Sequence, residues 1–137
     1  MAMSDAEKQA MKETMAERAK ARKKMTPEQF EAEVVEKIAA MAPADRSLGE
    51  KVHALVKKHA PELQPKTWYG MQAYFKDGKV VVFFQDAGKF QTRYCTLGFQ
   101  DAANLDDGKM WATSFAVIGL DKATEKRIAD LVRQAAS

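Results

Sequence analysis

The chain of 137 residues contains one cysteine, two histidines and four prolines, and it has no long apolar run. A single cysteine, Cys95, cannot form an intramolecular disulfide, which is typical of a protein from a reducing compartment. No stretch approaches the roughly 20 apolar residues of a membrane span. Residues 1–24 lack the apolar core of a signal peptide. We therefore expect a cytoplasmic protein with no membrane partner.

Motifs that specify a reaction are also missing. No serine stands in a nucleophile elbow, and no glycine-rich phosphate loop is present. His53 and His59 lie on one predicted helix, where about 120° of rotation and about 9 Å of rise keep them from sharing a metal ion. His53 is predicted at the surface and His59 on the apolar face or its rim. Cys95 needs a base to become a thiolate, and its β-type surroundings favour a buried, inert thiol. The chain is therefore predicted not to be an enzyme, with no cofactor and no metal ligand assigned.

The net charge of +3 is unevenly distributed. Residues 1–24 hold seven bases and four acids, which accounts for the whole excess, and residues 25–137 are neutral overall. Strong helix formers with a thin apolar stripe predict that 1–24 is a basic helical arm that can detach from a single domain at 25–137. The arm has no aromatic side chain to stack on bases and its acids weaken its field, so a nucleic-acid partner is not predicted.

Helical signals lie on both sides of the central region. Thr26, followed by Pro27 and Gln29, predicts a capped helix start. A second helix is predicted over about 44–60, followed by a rigid connector at 61–65. Near the end of the chain, Asp121 predicts the cap of a C-terminal helix.

The centre of the chain has the patterns of β-strands. Asp77-Gly78 predicts a two-residue hairpin turn. A third strand is predicted from Arg93 to Leu97, closed by Gly98, and a last strand from Ser114 to Ile118. The short links predict an α+β fold, in which a central antiparallel sheet of about four to six strands carries N-terminal helices and a C-terminal helix on one face.

Aromatic residues concentrate in the same central region. Both tryptophans, all three tyrosines and six of seven phenylalanines lie between Lys66 and Phe115. Because strand side chains alternate between faces, some of these rings are expected on the uncovered face or in an edge pocket. The predicted ligand-binding residues are Trp68, Tyr69, Met71, Tyr74 and Trp111, with Arg93 as a polar anchor. Apolar walls with a few charges describe a small-molecule site or a protein interface, and an ordinary two-sided core remains the alternative.

Three segments carry a resemblance to a known family: PELQPKTWYGMQAYFKDGKVVVFF, KFQTRYCTLGF and ANLDDGKMWATSFAV. They look like the YdhG-like bacterial family, a domain of unknown function, and the resemblance covers about 44–136. Relatives often read GMPAY and MWPT where this chain has GMQAY and MWAT. Both of those prolines are absent here.

The resemblance implies an antiparallel sheet backed by helices, and it raises iron delivery as an alternative, since some members are regarded as frataxin-like iron chaperones. Such chaperones are thought to use a dense acidic helix ridge, whereas this chain has glutamates scattered among lysines, so no iron ligand is assigned. The predicted function is a cytoplasmic binding module for a small molecule or a protein partner. The alternatives are an iron chaperone and, more weakly, an enzyme that uses Cys95.

Overall fold

A computed structural model describes residues 4–6, 8, 11–12, 15 and 24–137 of the chain. The basic arm predicted at 1–24 therefore lies largely outside the described residues. None of the helices in the described part combines the length and the apolar character that crossing a bilayer requires.

The first two helices begin where their sequences predict. Helix α1, Pro27–Ala39, starts with a full capping box, in which the Thr26 hydroxyl accepts from the Gln29 amide and the Gln29 side chain accepts from the Thr26 amide. Helix α2, Pro43–His59, has its proline in the first turn, where no amide hydrogen is needed. Each helix buries one apolar stripe, which includes Val34 in α1 and Val52 in α2.

Five strands form one antiparallel sheet in chain order. They are β1 Gln64–Trp68, β2 Met71–Lys76, β3 Lys79–Gln85, β4 Cys95–Phe99 and β5 Ser114–Val117. A short helix, α3 Ala87–Phe90, lies between β3 and β4, and α4 Lys122–Ala135 follows β5. Asp121 caps α4 by accepting from the Thr124 amide. The predicted α+β fold with a central antiparallel sheet is confirmed.

Two details of the strand prediction are wrong. The predicted connector at 61–65 ends inside β1, where Pro65 is tolerated because a strand at the sheet edge needs hydrogen bonds on one side only. Gly98 does not close the third strand; it lies within β4, opposite Phe83. The physical reason is that the Phe83 ring occupies the space above a residue without a side chain.

One face of the sheet is covered by α2. From this face, the Gln72 side chain donates to the Gly49 carbonyl, the Tyr74 hydroxyl pairs with His53, and the Cys95 thiol donates to Asp45. Helix α1 packs against β1 and β2, and α4 packs against α2. The buried side chains Val52, Tyr74, Val82, Phe84 and Leu97 belong to the main core cluster.

The opposite face is called the open face here. Direct cross-strand partners share a face, which places Lys66, Ala73, Phe83, Gly98 and Ser114 together on this one. Lys66, Phe83 and Ser114 are exposed or half-buried, and the two small residues between them, Ala73 and Gly98, are buried. Any site on the sheet surface therefore belongs to this face.

Candidate functional site

Three aromatic rings form a cluster at the β1 side of the open face. Trp68 lies between the other two, with ring centroids 5.3 Å from Phe83 and 5.0 Å from Tyr69. The Trp68–Tyr69 pair is close to edge-to-face, an arrangement worth about 0.5–1.5 kcal/mol beyond area burial. Trp68, Tyr69 and Phe83 are called the aromatic corner below. The contacts with Trp68 restrict the orientations of the other two rings.

Tyr69 occupies an uncommon backbone position. With φ of 48° at Tyr69 and 76° at Gly70, the link between β1 and β2 is a two-residue turn with both central residues left-handed. Such turns favour Asn-Gly, and a bulky residue there costs on the order of 1–3 kcal/mol. Yet the Tyr69 side chain gains little burial, because the residue is 81% exposed. Burial of the Tyr69 ring therefore does not offset the strain of this backbone position.

Phe83 reaches the corner because of Gly98. A β-carbon at position 98 would lie less than 3.0 Å from three atoms of the Phe83 ring. The ring therefore lies over the backbone of β4 and extends the apolar surface from β1 towards the middle of the sheet. Phe83 was not among the predicted site residues, since only the pairing of β3 with β4 reveals this contact.

Two lysines lie near the aromatic corner. The Lys66 ammonium is 4.9 Å from the centroid of Phe30 and 5.2 Å from that of Phe75. The Lys89 ammonium donates to the Gly70 carbonyl at 3.1 Å, directly behind the Tyr69 turn. Within residues 24–137, neither lysine takes part in a salt bridge. The two ammonium groups add positive charge beside the aromatic corner.

A small cleft of about 260 Å³ adjoins the same turn. Lys37, Met41, Gly70, Asp86 and Lys89 are among its lining residues. Desolvation and the nearby Lys37 ammonium lower the pKa of Lys89. The Asp86 carboxylate opposes this lowering, so the cleft brings two ammonium groups and one carboxylate together beside the aromatic corner.

The predicted site residues do not all meet. Trp68 and Tyr69 form the corner, and Met71 lies opposite Trp68 in the register but is only 7% exposed. Tyr74 is fully buried on the face under α2, so it cannot contact a partner on the open face. Burial raises the pKa of its phenol.

Arg93 and Trp111 lie apart from the cluster of rings. The Arg93 guanidinium is 5.3 Å from the ring centroid of its neighbour Tyr94. Trp111, in the loop between β4 and β5, is 38% exposed and has no ring contact within the described part of the chain. Of the predicted site residues, Trp68 and Tyr69 are therefore the two that belong to the aromatic corner.

His53 was predicted at the surface, and that prediction is wrong. Only 14% of its side chain is exposed, and it joins a polar chain beneath α1. Its Nδ1 lies 2.8 Å from the Tyr74 hydroxyl and its Nε2 lies 3.1 Å from a Glu31 oxygen. Gln72 donates to the same hydroxyl, which leaves the tyrosine proton for His53 Nδ1. Burial lowers the pKa of His53, consistent with a neutral ring that donates from Nε2 to Glu31.

The Cys95 thiol is buried, as predicted. It donates to Asp45 Oδ1 at 3.4 Å, and burial together with this carboxylate raises the pKa of Cys95 to about 11. A protonated, inaccessible thiol is a poor nucleophile. Among the described residues, no three His, Cys, Asp or Glu side chains come together as a metal site. Neither the cysteine-enzyme nor the iron alternative gains a supporting observation.

No protein-family model matches the chain, and neither a curated protein nor a solved structure matches it. The resemblance to the YdhG-like family stays a prediction from the sequence.

Proposed function

We propose that this protein is a non-catalytic binding module whose aromatic corner receives an acidic segment, bearing apolar side chains, of a partner protein. The observation that carries the proposal is Tyr69, which is 81% exposed in a left-handed turn position that disfavours it. Backbone strain at an exposed aromatic residue is accounted for if the ring contacts a partner.

The residue types support a protein partner. Tryptophan and tyrosine dominate binding hot spots because they offer large rigid surfaces with few rotatable bonds. Trp68 is already ordered by Phe83 on one side and Tyr69 on the other. Little conformational entropy is lost when such a preformed surface binds, so more of the contact energy appears as affinity.

The surrounding charge supports an acidic partner. Lys66 lies beside two aromatic rings and Lys89 lies behind the Tyr69 turn, and no salt bridge within residues 24–137 neutralises either one. An acidic segment supplies the missing carboxylates at the rim of the contact, which speeds association and selects the partner.

The proposal is tested by selecting a random-peptide display library against the folded protein. We expect the selected peptides to combine Asp or Glu with large apolar residues. Their affinity is expected to fall about tenfold or more in Tyr69→Asn, a variant that keeps a residue suited to the turn. Val35→Ala is the matched control, because Val35 is also an exposed apolar residue but lies on α1.

A second variant separates the contribution of charge to binding from the contribution of apolar contact. Lys66→Gln combined with Lys89→Gln is expected to weaken binding at low salt and to flatten its salt dependence. Selected peptides that bind Tyr69→Asn as tightly as the original chain would place the site elsewhere. Recovery of no specific peptide would also count against the proposal.

A further inference from the structure

The two outer strands of the sheet are protected very differently. β1 contains Pro65 and Lys66, and α1 packs against it. β5 pairs with β4 on one side only, and residues 110–120 contain no charged residue and no proline. Proteins usually block an exposed strand edge with charge, proline or a covering element. The edge of β5 has neither charge nor proline, and although the strand has only four residues, its outward backbone groups can pair with another strand.

The backbone of β5 directs alternate residues outward. The Thr113 carbonyl accepts from the Phe99 amide, so the backbone amide and carbonyl groups of Thr113 and Phe115 face β4. In an antiparallel ladder the intervening residues, Ala112, Ser114 and Ala116, direct their amide and carbonyl groups away from it. All three have small exposed side chains, which leave room for another strand.

We propose that β5 pairs with β5 of a second copy of this chain, antiparallel about a two-fold axis at Ser114. This register pairs Ser114 with its own copy and Ala112 with Ala116, so that every outward backbone group meets an outward group. The five strands of each copy then form one continuous ten-stranded sheet.

The side chains favour a second copy over an unrelated strand. Met110 and Ile118 are among the most exposed apolar residues of the described chain, at 89% and 84%. Met110 precedes β5 and Ile118 follows it, each four positions from Ser114, so the proposed axis brings Met110 of one copy to the end of the paired strands where Ile118 of the other lies, twice by symmetry. Residues 110–120 carry no charge that would repel the same segment of a second copy.

The size of this contact sets its strength. β5 itself has four residues, and even the longer segment from Met110 to Ile118 is short compared with the roughly 20–30 residues per side of a standard interface. The dimer is therefore weak and depends on concentration. Because the two-fold axis is perpendicular to the sheet, both open faces lie on the same side, and the dimer presents two aromatic corners in one direction.

Sedimentation velocity over a series of concentrations tests the proposal. The unmodified chain is expected to shift from monomer to dimer in the micromolar range, and Ile118→Lys is expected to remain monomeric. Val35→Lys, at an exposed site on α1, is expected to dimerise normally. A monomer at every concentration would overturn the proposal, as would equal dimerisation of Ile118→Lys.

A cysteine at the symmetry axis tests the register. Hydrogen-bonded antiparallel partners lie about 5.5 Å apart between α-carbons, within the range that a disulfide spans. Ser114→Cys is therefore expected to crosslink between copies in a glutathione redox buffer. Met110→Cys also places a thiol at an exposed position, but this position lies far from its own copy, so it is expected to crosslink several times more slowly. Equal crosslinking of the two variants would show that the register is wrong.

Discussion

The ring of Phe83 lies over the backbone of Gly98, its direct partner across β3 and β4. The same ring contacts Trp68, so it lies between the bare backbone of one strand and the indole of another. This contact is what brings a residue from the third strand into the aromatic corner. It links the stability of the sheet to the shape of the proposed binding surface.

Gly98→Ala is expected to lower the free energy of unfolding by about 1–3 kcal/mol, because the new methyl group forces the Phe83 ring to move. The displaced ring should also weaken binding of the selected peptides. Urea unfolding measures the first effect and a peptide titration the second. Gly119→Ala is the control, since nothing lies within 4 Å of a β-carbon there. Equal stability of the two variants would contradict the packing argument.

The free energy of unfolding of Tyr69→Asn is expected to lie within about 0.5 kcal/mol of that of the original chain, because relief of the left-handed backbone strain offsets the lost contact with Trp68. Tyr69→Ala loses that contact without gaining a residue suited to the turn, so it should be less stable than Tyr69→Asn. Urea unfolding of the three proteins decides the order. If Tyr69→Asn is the least stable, the tyrosine has a structural role that its exposure does not show.

The polar chain through His53 predicts loss of stability in acid. The pKa of His53 is lowered in the folded protein, chiefly by burial, so the unfolded chain binds a proton first as the pH falls below about 6.5. Protonation therefore favours unfolding, with a slope of at most about 1.4 kcal/mol per pH unit for one proton. Above neutral pH, His53 is neutral in both the folded and the unfolded chain, so it adds no pH dependence to the free energy of unfolding.

Glu31 affects the free energy of unfolding at a lower pH than His53 does. Hydrogen bonds from Lys57 and His53, partly opposed by desolvation, lower its pKa, so its contribution is present above its ordinary value and is lost as the pH falls through its folded value. Urea unfolding from pH 8 to pH 5 isolates the histidine, and His53→Gln should remove most of the slope there. A flat profile for the original chain, or an unchanged slope in His53→Gln, would exclude this role.

Cys95 is expected to resist thiol reagents in the folded protein. It is 2% exposed, and its pKa of about 11 leaves almost no thiolate at pH 8. Labelling with a disulfide reagent should be slow in buffer and complete in urea. Met110→Cys, which adds a thiol at an exposed site, should label one group rapidly under the same native conditions. Rapid native labelling of the original chain would revive the enzyme alternative.

Several elements of this fold could be predicted because they depend on neighbours in sequence. The capping box of Thr26 and Gln29 and the left-handed turn at Asp77-Gly78 are satisfied by contacts within a few residues, and both appear as predicted. The periodic apolar stripes of the helices and the short links between strands were enough to predict an antiparallel sheet with helices on one side.

The aromatic corner depends on contacts that the chain makes between distant segments. Trp68 reaches the open face and Tyr74 the buried one because of strand register, and a shift of one residue exchanges the two faces. The register shift between Tyr74 and Phe75 breaks simple alternation, so counting from the turn misplaces the residues beyond it. His53 became an interior residue only because Glu31 and Tyr74 lie on either side of it. Local sequence patterns determined which helices and strands form. The tertiary structure decided which side chains are exposed and which of them contact one another, because those contacts join residues that lie tens of positions apart in the chain.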